Sequence, residues 1–395
     1  MKYGLILPDG AADEPIEELD GRTPLEAAHT PNIDWISTTG RQGTVVTIPE
    51  GFAPGSDVAT LSVVGYDVKK YYSGRAPLEA AAQKIKVGPR DLIFRCNLVT
   101  IVDDCMEDFA AGHIRTEEAK RIIADLNEAL GDDRIRFYPG VSYRHLMVVK
   151  DGAEMEVTCT PPHDIIGEDI EDYLPTGKAS EWICSLMERS QALLADHEIN
   201  QVRRDLGEGP ATSIWLWGQG TMPSLPRFKK QYGVRGAAIT AVDLIRGIAA
   251  CIGWPLIEVE GATGFIDTNY AGKGQAAVEA LDAFDLVAVH IEAPDEAGHM
   301  GDAAAKVKAI EEIDRHIVGP VLEKLQSLGE WKVLVLPDHP TPVAVRTHTA
   351  DPPPFCLAGK GVVSVLERPF SEANARESDL HVDPGHELME YFLKR

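Results

Sequence analysis

The sequence predicts an α/β protein: a mostly parallel sheet flanked by helices, interrupted by a smaller inserted α+β domain. Three observations carry this. Short apolar runs that end in an acidic residue occur three times, in "YGLIL" followed by "PDG", in "DLVAVHIEAPD" and in "WKVLVLPDH". Between them apolar residues recur at three- and four-residue spacing, as in "AITAVDLIRGIAACIG" and in "AAAKVKAIEEIDRHIVGPVLEKLQ" (303–326), which is helical periodicity. The chain has 395 residues, whereas single domains cluster near about 100 to 150, so two domains are expected.

The opening "MKYGLILPDG" holds one lysine and a five-residue apolar run, too short for a signal peptide or a membrane span, and reads as a buried strand. Runs this short and this apolar suit strands covered on both faces. In open α/β sheets ligands gather at the carboxyl ends of the strands, where Asp9, Asp295 and Asp338 fall. "APGSDVAT" (53–60) places Ser56 before an apolar stretch that starts a helix. From about residue 97 the character changes. "FRCNLVTIV", "SYRHLMVVK" and "MEVTCT" read as strands around a helix "TEEAKRIIADLNEAL", followed by the loop-like "PPHDIIGEDIEDYLP". The helical stretch "SEWICSLMERSQALLADHEINQVRRDL" then leads back toward the main domain near "TSIWLWG". The expected division is a core of 1–96 and 206–395 with an insert of 97–205. No internal repeat or low-complexity segment is visible.

Composition narrows the function classes. A 44% apolar and 25% charged content is that of an ordinary soluble globular protein. A formal net charge of −24 argues against nucleic acid or an anionic membrane as partner, because phosphate backbones are bound by Lys and Arg. An anionic substrate therefore needs local cations. The six cysteines are scattered without a CxxC pair, which suggests neither a zinc cage nor a disulfide framework and fits a reducing cytoplasm. No GxxxxGK[ST] loop and no GxGxxG after a strand is present, so no nucleotide cradle is recognised; "GQGT" and "GKGQ" read as turns.

The chemistry concentrates at the strand ends. Asp295 and His299 are four apart in "APDEAGH", a spacing that lets a carboxylate and an imidazole converge on one cation, although such a pair alone is also a common surface feature. Asp338 and His339 are adjacent in "LPDHPTP" and His348 follows nine residues after His339; an Asp-Pro turn ending a strand is the other reading. With Asp9 these make three carboxylates and three imidazoles in post-strand loops. That set suits two divalent ions, Mn2+ or Zn2+ more naturally than all-oxygen Mg2+ or Ca2+ sites, and paired metals form the usual clamp for phosphoryl displacement. Ser56 has two readings: a helix N-cap, or a nucleophile activated by a helix start and a metal. No CxPSR stretch points to a sulfatase-type nucleophile. Arg75, in the glycine turn "SGRAP", is an anion candidate or a solvated turn residue. In the insert His113, Arg115, Arg144 and His145 cluster in "AGHIRTEEA" and "YRH", cations that could grip a small phosphorylated acid.

The stretches "PDGAADEPIEELDGRTPLEAAHTPNID", "PGSDVATLSVVGYD", "SGRAPLEAA", "FRCNLVT", "GPATSIWLWGQG", "HIEAPDEAGH" and "LPDHPTP" resemble, essentially end to end, the archaeal-type cofactor-independent phosphoglycerate mutases of the alkaline phosphatase superfamily. "PEGFAPGSDVATLSV" and "GRAPLEAA" are closer to a bacterial branch, some of whose members have been proposed to be homoserine kinases. The resemblance implies an alkaline-phosphatase-like core and an inserted domain that closes over the substrate. It implies two metal ions, Mn2+ first with Zn2+, Co2+ or Mg2+ as other choices. Asp9, Ser56, Asp338 and His339 would hold one ion, and Asp295, His299 and His348 the other. Ser56 would carry the phosphoryl group, with Arg75, Arg115, Arg144 and His145 on the substrate. The expected activity is interconversion of 3- and 2-phosphoglycerate through a phosphoserine. Homoserine kinase and metal-dependent phosphatase are the alternatives, and a non-catalytic binding protein is disfavoured because all seven ligand positions carry a competent residue.

Overall fold

The computed structural model describes residues 1–394. Its strands are β1 (Lys2–Pro8), β2 (Arg41–Val45), β3 (Leu92–Val102), β4 (Cys105–Asp108), β5 (Ile135–Tyr138), β6 (Arg144–Val149), β7 (Ser213–Gly220), β8 (Gly236–Ile239), β9 (Leu286–Ile291), β10 (Trp331–Val335), β11 (Pro354–Gly359) and β12 (His381–Val382). They divide between two compact units, residues 1–72 with 224–395 and residues 73–223.

In the first unit the sheet order is β12-β2-β11-β10-β1-β9-β8. β8, β9, β1 and β10 run parallel, with Tyr3 opposite both Leu286 and Lys332, and β11 returns antiparallel to β10 and β2. The central strands are apolar throughout because both faces are covered. On one face Ile6, Val289 and Val333 pack with Leu281, Ile310 and Leu325, from the helices Tyr270–Ala283, Ala303–Ile313 and Gly319–Ser327. On the other, Leu7, Ala238 and Ala288 meet Val64 and Ile245. The periodicity over 303–326 predicts one helix, but the structure inserts a π-helical turn, Asp314–Val318. Pro320 opens the following helix and cannot donate a backbone hydrogen bond. The Asp314 carboxylate in turn accepts from the backbone N–H groups of Asn32 and Ile33. No helix among the described residues is long and apolar enough to cross a membrane.

The second unit is an antiparallel sheet with β3 as its spine, pairing with β6 and β7 and, at its far end, with β4, while β5 pairs with β6. Leu92, Phe94, Cys96 and Leu98 meet Ile122, Ile123 and Met187 of the helices Thr116–Leu130 and Ser180–Ala195. On the opposite face Ile93 and Leu146 meet Ala76 and Ala80 of the helix Arg75–Ala82. This unit is wider than the expected 97–205, because β3 starts at Leu92 and β7, the "TSIWLWG" stretch, is bonded to β3. "MEVTCT" forms no strand, only the single bridge Thr158 to Thr176. The long helical stretch is two helices, broken before His197, whose ring accepts from the Ile199 N–H at 3.2 Å and caps Glu198–Asp205.

Candidate active site

Three strand ends of the first unit deliver the acidic residues. Asp9 follows β1, is fully buried, and donates its N–H to the Ile291 carbonyl at the end of β9 (3.0 Å). Gly10 then turns the chain at φ +63°, and a Cβ there would lie 2.6 Å from Asp295 Oδ1 and from Thr341 Oγ1. After β9 the helix Ala293–Met300 begins at once, with Pro294 in its first turn. Asp295 and His299, one turn apart, share a face, and Asp295 Oδ2 lies 3.2 Å from His299 Nε2. After β10 come Asp338 and His339, both fully buried. His348 returns from the following loop to place Nε2 3.5 Å from Asp295 Oδ1 and 3.0 Å from His299 Nε2.

The structure therefore gathers Asp295, His299 and His348 in one group and Asp9, Asp338 and His339 in another, each with its candidate ligand atoms within 4.8 Å of one another. Ser56 belongs with the second group: its Oγ lies 3.1 Å from His339 Nε2. The cap reading of Ser56 does not hold. Gly55 is the N-cap, Ser56 is the first residue of the helix Ser56–Val63, and no side chain caps it. The hydroxyl is thus free of the local amides and turned to His339. One turn on, Thr60 Oγ1 donates to Asp338 Oδ2 (3.1 Å).

Several observations fit this donor set to cations. Asp9 Oδ1 and Glu292 Oε2 are buried and accept no hydrogen bond among the described residues, an arrangement proteins avoid unless another partner binds there. Burial, then the charges of Asp338, Glu292 and Asp295, push the Asp9 carboxyl well above the usual carboxylate range. Burial also opposes ionisation of Asp295, but the imidazoles of His299 and His348 outweigh it and hold the carboxyl well below that range. The Asp295 hydrogen bond raises His299 to about 9, so in the metal-free chain an imidazolium balances the carboxylate. His299 Nδ1 faces the Arg346 carbonyl at 3.0 Å, the outer hydrogen bond that orients a metal-binding imidazole.

Residues outside the sequence expectation also reach this site. His290 Nε2 lies 2.9 Å from Asp9 Oδ2, and Asp9, His290 and Glu292 form a third group of close ligand atoms. Thr341 Oγ1 donates to Asp295 Oδ1 and lies 3.3 Å from His339 Nδ1. Both were hidden by context: His290 sits inside an apolar strand run and Thr341 inside a Pro-rich turn.

The four cationic residues expected on the substrate all lie in the second unit and do not form one cluster. Arg144 is exposed at the start of β6, and Arg75 opens the helix Arg75–Ala82. Both press their positive charge on Arg95, whose guanidinium is nearly buried, pairs with Glu79 Oε1 at 3.1 Å and lies 4.1 Å over the Trp217 ring. Arg95 was not singled out in the sequence because "FRCNLVT" reads as plain strand. Arg115 is exposed and pairs with Glu118 in the first turn of its helix. His145 is a correction. The alternation of β6 turns it to the face of Met147 and Val149, where it is 1% exposed, so it cannot grip a ligand from solvent. Its Nδ1 accepts from the Gly140 N–H (3.0 Å), and burial lowers it to about 3.

Comparison with known proteins identifies the family. Residues 37–200 match the family model described as 2,3-bisphosphoglycerate-independent phosphoglycerate mutase. A protein of that name from Methanothrix thermoacetophila is 51% identical over 394 residues, covering 100% of both chains. Among solved structures, a protein of Pyrococcus horikoshii is similar with a TM-score of 0.84 at 31% identity, covering 99% of this chain and 96% of that one. The cofactor-independent phosphoglycerate mutase of Thermoplasma acidophilum has a TM-score of 0.67 at 26% identity, covering 99% of each. With full-length identity of this order and the strand-end residues gathered as described, the chain belongs to the 2,3-bisphosphoglycerate-independent phosphoglycerate mutases.

Proposed function

We propose that the chain interconverts 3-phosphoglycerate and 2-phosphoglycerate through a phosphoserine at Ser56. The observation that carries this is the Ser56 hydroxyl, uncommitted to the helix it begins and 3.1 Å from His339 Nε2, beside the unsatisfied Asp9 Oδ1. Asp9, Ser56, Asp338 and His339 would hold one divalent ion and Asp295, His299 and His348 a second; the mixed nitrogen and oxygen donors suit Mn2+ or Zn2+ better than an all-oxygen Mg2+ or Ca2+ site, and we take Mn2+ first. When bound, such ions lower the pKa of the serine hydroxyl and neutralise phosphoryl oxygens.

The chain's own residues do the rest. Ser56 stands at a helix start, where backbone dipoles favour negative charge on its oxygen. Its Oγ attacks phosphorus, the bond from phosphorus to the glycerate 3-oxygen breaks, and the serine proton ends on that oxygen. The glycerate 2-hydroxyl then attacks the phosphoserine, its proton returns to Ser56, and 2-phosphoglycerate leaves. Water must be kept from the phosphoserine meanwhile, or the outcome is hydrolysis. We assign to the second unit, residues 73–223, the task of holding the substrate, with Arg75, Arg95 and Arg144 as its anion grip. The unpaired state of all six cysteines suits the cytoplasm we assign to it.

The test is to incubate manganese-loaded protein with 3-phosphoglycerate and follow 31P resonances. Wild type is expected to give 2-phosphoglycerate without free phosphate. Ser56→Ala is expected to retain bound metal and form no product. Mutase turnover in Ser56→Ala, or release of inorganic phosphate alone by wild type, overturns the proposal.

A further inference from the structure

Thr341 touches both groups of candidate ligands and is itself fully buried. Its hydroxyl has one proton to donate and can accept as well. The proton goes to Asp295 Oδ1, since a carboxylate only accepts. The second neighbour of the hydroxyl, His339 Nδ1 at 3.3 Å, must therefore be the donor. The other atom facing that nitrogen is the Pro340 carbonyl oxygen, also at 3.3 Å, which can only accept. Both neighbours thus require the proton of His339 to sit on Nδ1. Nε2 is left bare, and it is the atom that faces Ser56 Oγ at 3.1 Å and Asp9 Oδ1 at 3.3 Å.

The packing holds Thr341 in this place. Its carbonyl accepts from the buried Lys306 ammonium (2.8 Å), which also binds Asp13 Oδ2 (2.7 Å) and the Ala12 carbonyl (3.2 Å). Two glycines flank it: a Cβ on Gly10 would lie 2.6 Å from Thr341 Oγ1, and one on Gly298 would lie 2.3 Å from its carbonyl oxygen. The turn after β1 and the helix after β9 therefore both close on this one residue of the segment after β10.

We infer that Thr341 is a positioning residue that couples the two metal groups, fixing the Asp295 carboxylate in one and the Nδ1–H tautomer of His339 in the other. This rests on the ligand groups assigned above, and not on the identity of the substrate. Outer hydrogen bonds of this kind are worth about 10- to 100-fold in metal affinity.

The experiment is Mn2+ titration of the metal-free protein without substrate, so that it stays separate from the mutase assay. Thr341→Val keeps the shape and removes the hydroxyl; its Mn2+ affinity is expected to fall about 10- to 100-fold, while Thr341→Ser stays close to wild type. Wild-type affinity in Thr341→Val, or equal losses in both variants, overturns the inference. Should Thr341→Val not fold, 15N histidine spectra of the wild type decide it, with His339 assigned by its loss in His339→Gln. A proton on Nδ1 and a bare Nε2 are expected, and a proton on Nε2 overturns the coupling.

Discussion

At the scale of the residue, the site depends on atoms that leave no room. Gly10 adopts φ +63° between Asp9 and the Asp295 carboxylate, and any Cβ there would lie 2.7 Å from the Asp295 backbone as well as 2.6 Å from two side-chain oxygens. Gly233 has a similar φ, +73°, but nothing lies within 4 Å of its Cβ position. Both positions incur the left-handed backbone penalty of roughly 1–2 kcal/mol when changed to alanine, and only Gly10→Ala also displaces Asp295 and Thr341. The expected outcome is a modest loss of thermal stability in Gly233→Ala with unchanged Mn2+ affinity, and loss of both in Gly10→Ala. Equal Mn2+ affinity in the two variants would show that the strand-end loops can move apart without harm to the ligand group.

At the scale of the element, the direction of a strand's side chains decides what its residues can do, and β6 shows it. Arg144 and Leu146 share one face and His145 and Met147 the other, so neighbours in "YRH" part company. The strand itself was readable from its apolar run; which face would be covered was not, because both carry apolar residues. The same limit explains His290, whose apolar neighbours gave no sign that its ring meets Asp9. By contrast Asp9, Asp295 and Asp338 were readable because each follows within four residues of the end of an apolar run that forms a parallel strand. Burial of His145 has a consequence for pH. Its pKa falls from 6.5 to about 3 on folding, so between those values the unfolded chain binds a proton that the folded chain refuses. Stability from this residue is intact above about 6.5 and declines as pH falls, by up to ~1.4 kcal/mol per unit. Urea unfolding of wild type and His145→Gln at pH 5 and pH 7.5 should show a steeper acid loss in wild type. Identical pH dependence in the two proteins would exclude His145 as the origin.

At the scale of the whole molecule, one apolar cluster lies on a face of the parallel sheet and another between β3, β6 and the two long helices of the second unit. The expected division gave β7 to the main domain because it is as apolar as a core strand, and only its pairing with β3 assigns it to the second unit. All seven candidate ligands, together with His290, Glu292 and Thr341, belong to the first unit. A ligand that binds only the folded form stabilises it by about 2.7 kcal/mol at one hundred times its dissociation constant. Divalent ions should therefore act on the first unit's sheet and leave the second unit's sheet unaffected. Hydrogen exchange with and without Mn2+ is expected to slow at the amides of β1, β9 and β10 and to stay unchanged at those of β3, β5 and β6. Exclusion of the metal by a chelator should restore the faster exchange of the first set alone. Equal protection of both sheets on adding Mn2+ would mean that the metal's effect is not confined to the unit that holds its ligands.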